Sequence, residues 1–270
     1  MKKVVLTGSN GFIGKNLFEF LKNKFSVYTI NEDIFDDKDW YINLKSLLND
    51  YSPDVIYHLG ACSNTLETDT NYIMKLNFEF TKCLVDYAKL NNIPIVYSSS
   101  AANYGENGLY PSNLYGWSKY TAEQYVISNS GIGLRYFNVY GPGEEHKGNM
   151  ASVAYQMYIK NKKNLEVKLF PNKPKRDFVY IDDVINANIF AYENFKTLNG
   201  KYYDVGYGVA RTFEDILDCM GIVYEYHSES IIPSGYQFYT CSDTSKWMNG
   251  WNPKYDLESG ISDYINYLKK

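Results

Sequence analysis

Apolar and polar positions alternate in blocks through the first half of the chain. The runs KKVVLTG, FSVYTI, PDVIYHLGA, IPIVYSSSA and LRYFNVYGP are short, mostly apolar and bounded by glycine, proline or polar residues. Apolar runs of this length suit strands buried on both faces of a parallel sheet. Between them the period changes. GKNLFEFLKNK puts Leu17, Phe18 and Leu21 at helical spacing. WYINLKSLLNDY and NYIMKLNFEFTKCLVDYAKLNN read as amphipathic helices, the second ending in Asn-Asn ahead of a proline. Strands alternating with helices predict an α/β fold with a Rossmann-type doubly wound parallel sheet. Beyond Gly143 the elements shorten under Pro and Gly punctuation, which predicts a smaller C-terminal lobe joined without a polar linker.

Composition narrows the class. With 270 residues, 45% of them hydrophobic, the chain can bury the core of one large domain and a small appended lobe. A net charge of -4 gives no footprint for nucleic acid or a membrane surface, and neither is expected as a partner. Glycines interrupt MKKVVLTGSNG before a signal-peptide core forms, and no later run is long enough to span a bilayer. Cys62, Cys83, Cys219 and Cys241 are scattered without a CxxC, so neither a disulfide framework nor structural zinc is expected, and a cytoplasmic setting is. No His/Cys/Asp group has metal-ligand spacing, so no metal is expected.

The first strand runs straight into TGSNGFIG, where Gly8, Gly11 and Gly14 recur at three-residue spacing before a helix. Strand, glycine turn and helix at the start of a βαβ unit are the context of a dinucleotide site, with phosphate against backbone N–H groups at the helix N-terminus. Asn10, Phe12 and Ile13 complete that loop. The second strand ends at Asn31, Glu32 and Asp33, with no arginine and no lysine before Lys38. Acids at this turn favour a free ribose 2′-hydroxyl, hence NAD over NADP.

Tyr115 stands four residues before Lys119 in NLYGWSKYTAEQY, a spacing that puts both on one face of a helix. Tyrosine accounts for 28 residues, so that spacing alone does not separate a catalytic pair from chance. The surrounding blocks do. TGSNGFIG, YHLGA, YSSSAANYG, YGWSK, RYFNVYGPG and RDFVYIDDV occur in the order found in extended short-chain dehydrogenase/reductases acting on nucleotide sugars, which the chain resembles from residue 7 to residue 184. GACSNTLETD and YGPGEEHKGNMASVAYQ are further similar to the bacterial heptose 6-epimerase group within that family.

The resemblance implies a site. Tyr115 would be the acid/base, Lys119 its partner and Ser100 a hydrogen-bond donor to the reacting oxygen. Lys147 would be a second proton donor and a substrate contact. Gly8, Asn10, Gly11, Phe12, Ile13, Gly14, Asn31, Asp33, Ile34, Leu59, Gly60, Ala61 and Asn77 would hold the cofactor together with Tyr115 and Lys119. Ser63, Asn138, Asn149, Phe170, Arg176 and Tyr236 would meet the substrate, Arg176 gripping its diphosphate. One tightly bound nicotinamide cofactor per chain is implied, NADP by kinship although the second-strand turn favours NAD. Residues 1–143, with 177–198 returning to them, would bind the dinucleotide. Residues 144–176 and 199–270 would mainly bind the substrate, a nucleotide-diphosphate sugar, and a homo-oligomer is expected. Lys119, one turn from Tyr115, is expected to lower the tyrosine's pKa. Without the resemblance, Glu144 and Glu145 beside Lys147 read as charged surface, and His58 as a packed core histidine.

The implied reaction is C6 epimerisation of an ADP- or other NDP-D-glycero-D-manno-heptose through a transient ketone. A UDP-hexose 4-epimerase is the alternative within the class, and a non-catalytic dinucleotide sensor the alternative outside it. A 4,6-dehydratase fits less well, since Ala101 and Ala102 stand where that group carries an acid pair. Asn149 and Gln156 depart from the family's serine and histidine, LFPNKPKRDF from its glycine-containing loop, and the segment between the second and third strands is compressed.

Overall fold

A computed structural model describes residues 1–106, 108–228 and 237–270. The chain forms two compact units, residues 1–135 with 185–203, and residues 136–184 with 204–270.

The first unit is built on a six-stranded sheet. Five of its strands are β1 (Lys3–Thr7), β2 (Ser26–Ile30), β3 (Val55–His58), β4 (Ile95–Ser100) and β5 (Ile132–Tyr136). Together with Lys201–Val205 they lie in the order β2-β1-β3-β4-β5 and then that last strand. β1 pairs in parallel with β2 (Val5↔Tyr28) and with β3 (Val5↔Ile56). The chain therefore leaves β1 towards one side and returns on the other, which creates a topological switch point at the carboxyl ends of β1 and β3. Val4, Val5, Leu6, Val55, Ile56 and Tyr57 are fully buried, as strands covered on both faces require. Trp40–Tyr51 forms the helix read from the sequence and buries Trp40, Leu44 and Leu48. Thr70–Met74, a π-helical turn at Lys75–Glu79 and Phe80–Leu90 run on as one helix, so the predicted long helix is present but carries a turn its periodicity does not announce.

LRYFNVYGP is not one strand. β5 ends at Tyr136, and Asn138–Tyr140 (β6) pairs instead in parallel with Lys175–Tyr180. The reason is local: Val139 N–H bonds back to the Phe137 carbonyl, which turns the chain between the two strands. Residues 136–143, grouped by sequence with the first unit, thus pack in the second.

The second unit centres on Lys175–Tyr180, flanked by β6 and by antiparallel Ala210–Thr212. Its helices start on side-chain caps: Ser152 for Val153–Lys162, a Thr212/Asp215 capping box for Phe213–Met220, and Asp256 for Leu257–Leu268. Asp177 on the central strand accepts bonds from the N–H groups of Tyr207 (2.6 Å), Gly208 (2.9 Å) and Ser242 (3.0 Å) and from the Ser242 hydroxyl (2.6 Å). One buried carboxylate thus fixes three segments. Among the described residues, no helix is long and apolar enough to cross a membrane.

Candidate active site

The switch point in the first unit is closed by glycines. Gly8 has φ +70°, and a Cβ there would lie 2.6 Å from the Gly60 nitrogen. A Cβ on Gly14 would lie 2.0 Å from the Gly8 carbonyl oxygen. No side chain could occupy either position without moving backbone. Gly11 is the N-cap of the first helix (Phe12–Leu21) and offers no side-chain cap, so the positive end of the helix dipole faces the glycine loop, where it favours an anion. Asn31, just after β2, accepts from the Ser9 hydroxyl (3.1 Å) and the Asn10 N–H (3.3 Å), so it braces the loop from the second strand. Asp33 and Ile34 follow in the 3-10 turn Glu32–Asp36; Asp33 is exposed and Ile34 packs on the core. Leu59, Gly60 and Ala61 continue β3 and are half-buried. A dinucleotide pyrophosphate fits this cradle on the structure's own terms: glycine-limited backbone and an uncapped helix start at a switch point.

A hydrogen-bond chain holds the cradle. The Gly60 N–H donates to Thr7 Oγ1 (2.9 Å), which meets His58 Nδ1 at 2.7 Å, while His58 Nε2 meets Thr81 Oγ1 at 2.8 Å. Thr81 donates onward to the Asn77 carbonyl (2.7 Å), so its oxygen accepts from His58 Nε2–H. Burial, aided by Lys119, pushes His58 well below the usual imidazole range, so it stays neutral.

Tyr115 enters on the helix Leu114–Ser128, whose N-cap Asn113 accepts from the Gly116 N–H at 2.8 Å. Tyr115, Lys119 and Glu123 lie one turn apart along it. In β4 the side chains alternate, and the three serines divide accordingly. Ser100 hydrogen-bonds the Tyr115 hydroxyl, whereas the Ser99 hydroxyl donates to Glu123 Oε2 at 2.6 Å. Lys119 is buried, its ammonium 4.3 Å from the Tyr97 ring centroid. Burial drives Lys119 down to about 7, against the raising influence of Glu123. Burial also holds Tyr115 above its ordinary range, against the lowering bond from Ser100. The expected lowering of Tyr115 by its lysine is therefore not the ruling effect. Both groups are removed from water, and each charged form is penalised.

Behind Lys119, Glu123 pairs with Arg135 in two bonds, Nη2 to Oε1 at 2.6 Å and Nε to Oε2 at 2.8 Å, both side chains nearly sealed from solvent. The guanidinium lies 3.6 Å from the Tyr202 ring centroid and 4.5 Å from that of Tyr104. Asn77, in the π-helical turn, is fully buried. Its Oδ1 accepts from the Cys62 N–H (2.7 Å), and its Nδ2 donates to the Cys62 carbonyl (3.1 Å) and to Ser118 Oγ (2.9 Å). Asn77 thereby ties the loop after β3 to the Tyr115 helix. Cys62, Ile73 and Leu76 pack against Tyr115. Ser63 beside them is exposed.

The second unit holds its own set. Lys147 lies in the 3-10 turn Glu145–Met150 and is half-buried; burial lowers it and Glu144 opposes that. Asn149 shares this turn and is exposed, as is Asn138 on β6. Arg176 is half-buried on the central strand, 5.7 Å from the Phe213 ring, and pairs in register with Arg211. Arg211 is balanced by Asp215 (3.0 Å) and Glu258 (2.6 Å), which relieves the like-charge opposition. The Phe170 ring is 6.1 Å from His227. Tyr236 lies outside the described residues. Among the described residues, no three His, Cys, Asp or Glu side chains converge as metal ligands would.

Sequence reasoning missed Glu123 and misread Glu144, which is fully buried rather than charged surface. Glu123 carried a usable signal, sitting two turns after Tyr115 on its face. Glu144 carried none nearby, because one of its partners is Tyr264.

Comparison with known proteins gives a consistent picture. The sequence model described as NAD dependent epimerase/dehydratase family matches residues 4–206. An ADP-L-glycero-D-manno-heptose-6-epimerase of Brachyspira hyodysenteriae is 34% identical over 313 aligned positions covering 99% of this chain and 98% of that protein. The alignment is longer than the chain, so the relative carries insertions absent here. The crystal structure of the Helicobacter pylori ADP-L-glycero-D-manno-heptose-6-epimerase superposes with a TM-score of 0.83 at 27% identity, covering 99% and 96% of the two chains. A UDP-glucose 4-epimerase from Thermotoga maritima, solved with UDP-glucose, shares the fold with a TM-score of 0.85 at 23% identity, covering 99% and 98%.

Proposed function

The chain belongs to the NAD dependent epimerase/dehydratase family, and from that premise we propose that it epimerises a nucleotide-diphosphate sugar at C6. The substrate proposed is an ADP- or other NDP-D-glycero-D-manno-heptose. The observation that carries the reading is the Tyr115 hydroxyl bonded to Ser100, with Lys119 buried one helical turn away. Full-length kinship at 34% identity with a heptose 6-epimerase supports the sugar.

When bound, a nicotinamide cofactor supplies the acceptor and donor of hydride for the sugar carbon. The chain's residues do the rest. The N–H groups of the Gly8–Gly14 loop hold the pyrophosphate, with Asn10, Phe12 and Ile13 completing its wall. Asn31 and Asp33 meet the ribose, and Ile34, Leu59, Gly60 and Ala61 line the same side. Asn77 sets the loop and the helix in place. Tyr115 Oη takes the proton of the C6 hydroxyl while Ser100 Oγ bonds that oxygen. Protonated Lys119 steadies the Tyr115 phenolate that accepts this proton. Loss of that proton and of hydride leaves a ketone at C6. Inversion requires the ketone to accept hydride on its other face, so its oxygen points elsewhere, and Lys147 gives the proton there. Arg176 holds the diphosphate through its planar fork. Ser63, Asn138, Asn149 and Phe170 contact the sugar nucleotide.

NAD is the cofactor proposed over NADP, because Glu32 and Asp33, with no arginine, follow β2. Titration with both dinucleotides checks this: NAD should bind more tightly, and a preference for NADP would reverse the assignment. A cytoplasmic homo-oligomer is the proposed form, tested by light scattering on the purified chain. The function is tested by incubating the protein with ADP-D-glycero-D-manno-heptose and reading C6 stereochemistry by NMR. Formation of the L-glycero epimer is expected. No conversion with nicotinamide bound would move the substrate to another nucleotide sugar.

A further inference from the structure

The loop that carries Lys147 is closed by a carboxylate nowhere exposed to water. Glu144 is fully buried. Its Oε1 accepts from the Tyr264 hydroxyl (2.9 Å), the Ser152 hydroxyl (2.7 Å) and the Gly141 N–H (3.3 Å), and its Oε2 accepts from the Ser152 N–H. Gly141 and Ser152 are the two ends of the loop, so one side chain ties entry to exit. From its own backbone, Glu144 accepts the Lys147 N–H at 3.0 Å. Ser152 passes the constraint on, its hydroxyl accepting from the Tyr155 N–H (3.2 Å) at the start of Val153–Lys162.

Tyr264 comes from the C-terminal helix Leu257–Leu268, and its side chain is also fully buried. That helix is held close: a Cβ on Gly260 would lie 2.1 Å from the Tyr140 hydroxyl oxygen. Neighbouring Glu145, by contrast, is exposed. A buried carboxylate accepting four hydrogen bonds from three residues is held in one position. A lysine on a loop otherwise has many, and proton transfer tolerates little misplacement.

We propose that Glu144, held by Tyr264 of the C-terminal helix, is a positioning residue for Lys147: it closes the loop so that the lysine stays half-buried beside a fixed negative charge. The proposal rests on the reading of Lys147 as a proton donor, and it ties the end of the chain to the chemistry. The titratable groups around this loop are Glu144, Glu145 and His146 on it, Tyr155 on the following helix, and Tyr264 and Tyr267 on the C-terminal helix.

The test is competitive acylation of the full-length protein with acetic anhydride across pH, read at Lys147 by peptide mass spectrometry, with exposed Lys196 as internal reference. In the wild type, Lys147 titrates below an ordinary lysine. If Glu144 holds the loop shut, Glu144→Ala returns Lys147 to water and raises its apparent pKa by about one unit. Tyr264→Phe, a milder change, moves it the same way by less and lowers kcat several-fold while KM for the sugar nucleotide stays within twofold. Loss of a charge partner alone would instead lower the apparent pKa. A fall, or no change, in Glu144→Ala and Tyr264→Phe overturns the proposal; should Glu144→Ala not fold, Tyr264→Phe decides. Turnover of Lys147→Ala is measured separately. Full activity there would sink the catalytic reading of Lys147, which the labelling does not touch.

Discussion

Lys119 costs the fold stability, and replacing it by methionine should raise stability while abolishing turnover. The lysine falls from 10.5 to about 7 on burial. The sign follows from proton counting. The unfolded chain binds a proton there up to its ordinary pKa, and the folded chain releases it near neutrality. Stability from this group is therefore greatest above the unfolded pKa and is lost as pH falls towards the folded one. At about 1.4 kcal/mol per unit, the cost is on the order of 4 kcal/mol at pH 7 and about 2 kcal/mol at pH 9. Methionine fills similar space without a charge, and Glu123 keeps Arg135 as its partner. Urea unfolding of wild type and Lys119→Met at both pH values reads the effect directly. The variant should be the more stable at both, with its advantage smaller at pH 9 by about 2 kcal/mol. A variant less stable at pH 7, or one with the same advantage at both, would refute the reasoning.

Gly14→Ala forces a methyl against the Gly8 carbonyl; it should cost about 1–3 kcal/mol and weaken nicotinamide binding at least tenfold, and unchanged affinity by titration would remove the cradle argument. Glu123→Gln breaks a sealed ion pair; it should destabilise by roughly 3–5 kcal/mol in urea, and a loss under about 1 kcal/mol would show that Arg135 finds water. It should also lower Lys119 below its present value, since Glu123 is the carboxylate that favours its charge; the alkaline limb of the pH–rate profile, where Lys119 loses its proton, would then move down, and an upward move would contradict the assignment. Ser100→Ala removes the one hydrogen bond identified as lowering Tyr115; turnover should fall about 10²-fold with nicotinamide affinity kept, and a loss of affinity instead would make Ser100 structural.

The strand–glycine–helix start was legible because the positive φ of Gly8 and the approach of Gly14 to the Gly8 carbonyl act within a few residues. The helix Trp40–Tyr51 was legible because its apolar positions follow a helical period over three turns. LRYFNVYGP misled because composition cannot tell a strand from two strands in different sheets; a backbone turn at Phe137 decides it. The π-helical turn at Asn77 left no mark on the pattern, since buried positions persist through it. Spacing put Tyr115 and Lys119 on one face. It could not say how deeply they would be buried, and burial reversed the expected direction for Tyr115. Ser100 rather than Ser99 reaches the tyrosine because strand side chains alternate, which was readable once the strand was known. Glu144 depends on a partner 120 residues away, beyond any local signal.

The central claim is that one centre around Tyr115 strips proton and hydride from C6 and returns hydride to the other face. Conversion of ADP-D-glycero-D-manno-heptose in D2O, followed by NMR and mass spectrometry for wild type and Tyr115→Phe, tests it most directly. The account predicts an L-glycero product that keeps its original C6 hydrogen, and no product from Tyr115→Phe. Deuterium at C6, or full conversion by the phenylalanine variant, would contradict it.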